Sequence, residues 1–124
     1  MSDRPKTIFC DIDGTLLKHH GDITKNILDE PIVLDNVIES LKEWDRLSYK
    51  IILTTGRKES YRKNTEQQLL KLGIPYDHLI MGITNGDRVL INDRKLNSNR
   101  NTAYAININR NDGLVGINLE LLNK

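Results

Sequence analysis

The sequence of 124 residues contains one cysteine, Cys10, together with three prolines, one phenylalanine and one tryptophan. One thiol cannot form an internal disulfide, which excludes a disulfide-stabilised scaffold and favours a reducing, cytoplasmic location. No apolar run approaches the roughly 18 residues that span a bilayer, so no membrane partner is expected. Residues 1–6 are polar and predict no secretion signal.

Neither sign of charge dominates. Eighteen basic side chains stand against 17 acidic ones, for a net charge of +1. No overall field therefore attracts nucleic acid or an anionic lipid surface, and no nucleic-acid partner is expected. Hydrophobic residues make up 38% of the chain, which at this length predicts a single domain over residues 1–124 with one modest core.

Short apolar runs alternate with helical patterns along the chain, and the runs 79–81 and 89–91 are bounded by Gly, Asn or Asp, as strands are. The runs cover residues 6–10, 51–53, 79–81, 89–91 and 103–108. Apolar residues spaced by three and four predict helices at about residues 35–47 and 60–73. The alternation predicts an α/β fold of three layers, in which helices cover a central, mostly parallel five-stranded sheet.

Polar residues follow three of the predicted strands. The carboxyl ends of parallel strands share one edge of a sheet, so Asp11 and Asp13, residues 54–57, and Asn92 and Asp93 are expected at one rim. Carboxylates this close repel each other unless a hard cation lies between them, and all-oxygen ligands favour Mg²⁺. An Asp-Gly pair is also a common turn signal, but a simple turn does not explain three converging strand ends.

Three segments resemble the motifs of one superfamily. DIDGTLL at residues 11–17 resembles the first motif of the haloacid dehalogenase (HAD) superfamily of phosphohydrolases, IILTTGR at residues 51–57 the second, and VLINDRK at residues 89–95 the fourth. Their order and spacing match as well. The resemblance implies a single Rossmann-like HAD hydrolase domain. It also implies a Mg²⁺-dependent phosphatase that hydrolyses a phosphomonoester, of a sugar or of a larger molecule, through an aspartyl-phosphate intermediate.

The resemblance further implies roles for the matching residues. Asp11 is expected to attack phosphorus, and Asp13 to protonate the leaving oxygen and later to activate water. Thr55, with Thr54 as the alternative, is expected to hydrogen-bond the transferred phosphoryl group. The expected Mg²⁺ ligands are the side chains of Asp11 and Asp93 and the backbone carbonyl of Asp13.

A cationic third motif is not evident, because residues 81–86 lack the lysine that many small members carry there. Lys95 is the best substitute as the catalytic cation, and Lys71, Lys58 and Arg57 are the alternatives. Gly56 and Arg57 lie where a helix begins near the rim, and both are expected to bind substrate.

Little of the chain remains for a cap over the site. Residues 17–35 and 81–89 leave room only for a flap and a loop, so no substantial cap domain is expected. An open site of this kind implies a large phosphorylated substrate or a homo-oligomer in which a neighbouring subunit closes the site.

Other interpretations stay open. A receiver-type phosphoacceptor domain needs an aspartate at the end of the third strand, and residues 79–82 contain none. A catalytically degenerate, phosphate-binding HAD-like domain is favoured by the missing lysine and by Asn92, which stands where many members carry an acid. His19 and His20 are adjacent, which is not the spacing of zinc ligands, and they favour a loop instead.

Overall fold

The computed structural model describes residues 4–122. Residues 1–3 of the polar N-terminus and residues 123–124 of the predicted domain lie outside this range. Within it, three strands form one parallel sheet in the order β1-β2-β3. They are β1 (Thr7–Asp11), β2 (Lys50–Thr54) and β3 (His78–Ile80).

Helices lie between consecutive strands, as parallel pairing requires. They are α1 (Ile23–Leu28) and α2 (Val37–Arg46) between β1 and β2, and α3 (Arg62–Leu72) between β2 and β3. Short 3₁₀ turns occupy Glu59–Tyr61, directly before α3, and Leu119–Leu121. Across residues 4–122, no helix has both the length and the apolar character needed to cross a membrane.

The two predicted helices are confirmed, with small differences at their ends. Helix α2 buries Val37, Leu41 and Trp44, which the periodicity places on one face. It begins after Asn36, whose left-handed φ of 59° ends the preceding loop. Helix α3 ends at Gly73, which has a φ of 70° and caps the helix as the sequence predicts.

One hydrophobic core joins the sheet to the helices. Ile51 and Leu53 of β2 are fully buried, and Leu69 of α3 packs into the same cluster. Ile12 and Leu16, which lie just after β1, are also fully buried in it. Because apolar anchors stand on both sides of Asp13, packing of the core fixes the path of the acidic segment.

The chain between β1 and α2 forms a flap. Leu17 makes an isolated antiparallel bridge with Val33, and the backbone N–H of Leu34 donates to the carbonyl of Leu16 at 2.9 Å. Helix α1 lies between these paired stretches and is capped by Asp22, whose side chain accepts a hydrogen bond from a backbone N–H in its first turn. The flap therefore holds one six-residue helix.

The α/β class and the parallel sheet are confirmed, but the prediction of five strands is wrong for the described residues. Residues 89–91 and 103–108 form no strand, and the side chains of Val89 and Ile91 are 83% and 90% exposed. Three consecutive apolar residues show that a segment is hydrophobic, but they do not show that another strand lies beside it. A strand requires such a hydrogen-bonded neighbour. Turn-forming residues surround both runs, and Asn97 adopts a left-handed φ of 61°.

Candidate active site

A tight turn follows β1 and carries the two acidic residues. The backbone N–H of Leu16 donates to the carbonyl of Ile12 at 2.9 Å, and that of Gly14 donates to the carbonyl of Leu17 at 2.7 Å. Gly14 has a φ of 92°, a conformation that side chains disfavour. We call residues 11–16 the acidic loop.

Asp11, the last residue of β1, has a raised pKa. Its partial burial is the largest cause, because removal from water disfavours the charged form. The backbone N–H of Ile12 lowers the pKa, the like charge of Asp13 raises it, and the charge of Arg88 and the hydroxyl of Thr15 lower it. Asp11 is therefore a partly buried carboxylate beside a second acid, where a cation would stabilise its charged form.

Asp13 has a quite different environment, because a buried guanidinium holds it. Arg57 donates from Nε to Oδ2 of Asp13 at 2.9 Å and from Nη2 to Oδ1 at 2.8 Å. The Arg57 side chain is 0% exposed and that of Asp13 is 10% exposed. Two parallel charge-assisted bonds fix the plane of the carboxylate. Asp13 is thus oriented from inside the protein.

The remaining donors of Arg57 are also engaged. Nη1 donates to Oγ1 of Thr65 at 3.1 Å and to Oε1 of Gln68 at 2.7 Å, and Nη2 donates to the carbonyl of Asn26 at 3.2 Å. These partners lie on α3 and α1. The structure therefore places Arg57 behind Asp13, as a residue that positions it. Direct binding of substrate by Arg57 stays a prediction.

Thr54 and Thr55 lie beside the acidic loop. Thr54 is the strand partner of Asp11 across the sheet. Thr55 follows β2, is buried, and accepts a hydrogen bond at Oγ1 from the backbone N–H of Arg57 at 3.1 Å. Its hydroxyl retains a proton that it can donate to an anion. The contact of Thr55 with a phosphoryl group stays a prediction.

The loop after β3 packs against Thr55 and Gly56, which follow β2. The backbone N–H of Ile83 donates to the carbonyl of Thr55 at 3.3 Å. A Cβ on Gly56 would overlap Oδ1 of Asn85 and lie 3.3 Å from the carbonyl of Ile83. A larger residue at position 56 would displace the Asn85 side chain and press on the backbone of Ile83. Gly56 therefore permits a close approach of two rim segments, and its contact with substrate stays a prediction.

Arg88, in the loop after β3, was not predicted from the sequence. Its Nη1 donates to the carbonyl of Thr84 at 2.8 Å and also to the carbonyl of Gly86. Held in this way, its charge acts on Asp11 and lowers the pKa of that carboxyl. Arg88 comes directly before the apolar run 89–91. A search for any cation there, and not only for lysine, would have found it.

Asp93 and Lys95 lie on an exposed stretch of chain. The backbone N–H of Ser98 donates to the carbonyl of Lys95 at 3.1 Å, which forms a local turn. Across residues 4–122, no three His, Cys, Asp or Glu side chains converge where they could hold a metal ion. The structure therefore brings Asp11 and Asp13 together but does not add Asp93 to them.

A sequence model of the family described as "polynucleotide kinase PNKP phosphatase domain" matches residues 5–104. The chain belongs to this family. The match confirms the HAD superfamily that the three motifs indicated. Asp11 through Lys95, including Arg88, fall inside the matched range, whereas residues 105–122 fall outside it.

Solved structures agree with this family. A chain in a structure of a Pnkp1/Rnl/Hen1 complex matches 68% of this chain, with 39% sequence identity and a TM-score of 0.57. One of a Pnkp1/Rnl/Hen1 RNA repair complex is 40% identical over 68% with a TM-score of 0.56. This chain spans 30% and 28% of those two chains.

A crystal structure from Vibrio cholerae is similar in fold alone, at 24% identity and a TM-score of 0.50 over 73% of this chain and 82% of that one. No curated protein matches the sequence. The PNKP phosphatase family and its HAD fold therefore rest on the family model and on the solved structures.

Proposed function

We propose that this protein hydrolyses a phosphomonoester through a covalent intermediate on Asp11, with Mg²⁺ as cofactor. The bidentate contact of Arg57 with Asp13, two residues after Asp11, carries the proposal. The contact fixes the orientation of Asp13 beside Asp11, so that one carboxylate can attack phosphorus while the other exchanges a proton with the leaving oxygen and with water. Membership of a phosphatase-domain family supports the same reaction.

The two carboxylates would act in two steps. A carboxylate oxygen of Asp11 attacks phosphorus, the bond from phosphorus to the leaving oxygen breaks, and Asp13 gives its proton to that oxygen. A water molecule then attacks the phosphorus of the aspartyl phosphate, and Asp13 accepts a proton from it. Inorganic phosphate leaves, and Asp11 returns as a carboxylate. Arg57 would keep Asp13 in one orientation through both steps.

The first step brings like charges together. An aspartate and a phosphate oxygen repel by roughly 4 kcal/mol per pair of unit charges at 4 Å in an effective dielectric of 20. Arg88 already acts on Asp11 and would offset part of this repulsion, in the role first assigned to Lys95. Lys95 remains the alternative cation. Thr55 would donate its hydroxyl proton to the transferred phosphoryl group.

The oxygen atoms at the rim are of the type that Mg²⁺ prefers as ligands. Partial burial beside a second acid makes a cation favourable at Asp11. Asp11 would hold the ion through its carboxylate and Asp13 through its backbone carbonyl, and Asp93 would be the third ligand, although the described residues do not bring the three together. When bound, the ion would neutralise charge between the nucleophile and the phosphate.

The substrate that we propose is a terminal phosphate on a polynucleotide. The matching family is named for polynucleotide kinase, and one similar structure is an RNA repair complex. The expectation of no nucleic-acid partner depends on net charge alone, which does not describe a local site. A sugar phosphate and a homo-oligomer that closes the site remain alternatives.

A direct assay tests the phosphatase. The protein is incubated with p-nitrophenyl phosphate, and then with oligonucleotides phosphorylated at either end, with and without Mg²⁺. We expect Mg²⁺-dependent turnover that Asp11→Asn lowers by about 10³-fold or more, because the covalent step is lost. Circular dichroism of Asp11→Asn checks that its fold is intact.

The degenerate phosphate-binding domain is the second candidate, because the described residues do not gather three metal ligands. It predicts no turnover above the Asp11→Asn level and no trapping of beryllofluoride on Asp11. Calorimetry provides a readout independent of turnover. Asp11→Asn and Asp93→Asn should each weaken Mg²⁺ binding if both hold the ion, whereas an unchanged affinity in Asp93→Asn would remove that residue from the set.

A further inference from the structure

Asn111, which is distant in sequence from the acidic loop, forms hydrogen bonds with it and with His19. Its backbone N–H donates to the carbonyl of Gly14 at 2.8 Å. Its Oδ1 accepts from the N–H of His19 at 2.7 Å, and its Nδ2 donates to the carbonyl of His19 at 3.3 Å. The left-handed φ of 68° at Asn111 is one that asparagine tolerates. Three hydrogen bonds thus fix residue 111 and its neighbours against the loop.

Arg110 is placed beside the acidic loop by this attachment. A Cβ on Gly14 would lie 3.3 Å from Cγ of Arg110 and 3.8 Å from its Nε. The arginine side chain therefore passes directly over Gly14, next in sequence to Asp13. Arg110 is exposed, and the ion pairs found within residues 4–122 all involve other cations.

Two other arginines near the acidic loop already donate to protein oxygens. The guanidinium of Arg57 lies behind Asp13 and donates to protein oxygens. Arg88 lies in the loop after β3, and its charge acts on Asp11. Arg110 is exposed and lies against Gly14 of the acidic loop, and a planar guanidinium is well suited to a phosphate group.

The position of Arg110 also indicates which part of a substrate it reaches. In the proposed reaction, Asp13 gives its proton to the leaving oxygen, which joins the hydrolysed phosphate to the rest of the substrate. A cation that lies against Gly14, the residue after Asp13, is therefore well placed to reach the leaving group. The transferred phosphate lies instead at Asp11.

We propose that Arg110 binds a second phosphate of the substrate, the phosphodiester next to the phosphate that is removed. Arg110 then selects substrates whose leaving group carries a negative charge, a role that presupposes the proposed phosphatase function. A polynucleotide end has such a phosphodiester, whereas p-nitrophenyl phosphate has none.

A substrate comparison tests this role. The values of kcat/KM are measured for p-nitrophenyl phosphate and for a dinucleotide with one terminal phosphate and one phosphodiester. The ratio of the dinucleotide value to the p-nitrophenyl phosphate value should fall about 10-fold in Arg110→Gln, which loses a charge-assisted hydrogen bond. Arg110→Lys should recover part of the ratio. The matched control Lys42→Gln removes one exposed charge from α2 and should leave the ratio unchanged.

Equal losses with both substrates, or no loss with either, would overturn the role of Arg110. A titration without turnover separates this outcome from failure of the phosphatase itself. In an Asp11→Asn background, Arg110→Gln should weaken binding of the dinucleotide about 10-fold relative to binding of inorganic phosphate. If the unmodified protein hydrolyses neither substrate, the phosphatase proposal fails and the titration still decides the role of Arg110.

Discussion

Arg57 contacts both carboxylate oxygens of Asp13, at 2.9 Å from Nε and 2.8 Å from Nη2. The same guanidinium donates to Thr65 and Gln68 of α3 and to the backbone of Asn26 in α1. A single buried side chain therefore links the acidic loop, the flap and a core helix. The orientation of Asp13 depends on all three.

Replacing Arg57 should destabilise the protein strongly. Arg57→Met leaves the largely buried Asp13 without its partner, and loss of one member of a buried pair costs about 3–5 kcal/mol of unfolding free energy. The matched control is Lys71→Met, because Lys71 pairs with Glu30 on the surface, where such pairs contribute about 0–1 kcal/mol. Urea denaturation measures both, and equal losses would contradict the buried network.

The charge of Arg88 should matter more to the reaction than that of Lys95. Arg88→Met should lower kcat by about 10²-fold, the usual effect of removing one group that stabilises developing charge. Lys95→Met should change kcat little, since no contact joins Lys95 to Asp11. The two variants are compared with p-nitrophenyl phosphate as substrate. The opposite ranking would assign the third-motif role to Lys95.

Gly113 and Gly116 should respond differently to alanine. Both have positive φ, 77° and 78°, so both substitutions carry a backbone cost of about 1–2 kcal/mol. At Gly113 the new Cβ would also overlap the backbone carbonyl of Asp35, whereas nothing lies within 4 Å at Gly116. Gly113→Ala should therefore lower the unfolding free energy by about 1–3 kcal/mol more than Gly116→Ala does. Similar urea midpoints would show that the chain around Asp35 moves freely.

Cys10 should be unreactive in the folded protein. Burial raises the pKa of its thiol to about 12, and the nearby Asp11 carboxylate raises it as well. Iodoacetamide, which attacks thiolates, should label the native protein very slowly at pH 8 and the urea-unfolded protein rapidly. Mass spectrometry follows the labelling, with Cys10→Ser as the blank. Fast native labelling would mean that the end of β1 opens to solvent.

The same shift predicts how stability depends on pH. The thiol of Cys10 ionises more easily in the unfolded chain, where its pKa is near 9.0, than in the folded protein. Its contribution to stability is therefore complete below about pH 9 and is lost as the pH rises towards 12. Cys10→Ala should remove this part of the alkaline loss, as urea denaturation at several pH values would show.

The sequence predicted the elements that a strong pattern specifies. Strands β1, β2 and β3 were predicted from apolar runs, and each of these runs pairs with a parallel neighbour. Helices α2 and α3 were predicted from apolar residues that recur at helical spacing. Helix α1 was not predicted, because six residues are too few for a clear period. The run 89–91 is just as apolar as the true strands, yet it has no strand partner in the described chain, and hydropathy does not report pairing.

The predictions for the site also succeed where a local sequence pattern exists and fail where it does not. Strand order alone brings Asp11, Asp13 and Thr55 to one rim, since neighbouring parallel strands end together. The burial of Arg57 depends on contacts with α1 and α3 that no local pattern encodes. Arg88 was not predicted, because it lies beyond residues 81–86, where the third-motif lysine is expected.

Asn111 and Gly113 also bear on how short this protein can be made. Both lie beyond residue 104, where the family match ends, yet they are bonded or tightly packed to Gly14, His19 and Asp35. A fragment that ends at residue 104 would keep the three motifs that resemble the superfamily and lose the residues that pack against the acidic loop. The recognisable part of the domain is therefore smaller than the part that must be kept together for it to work.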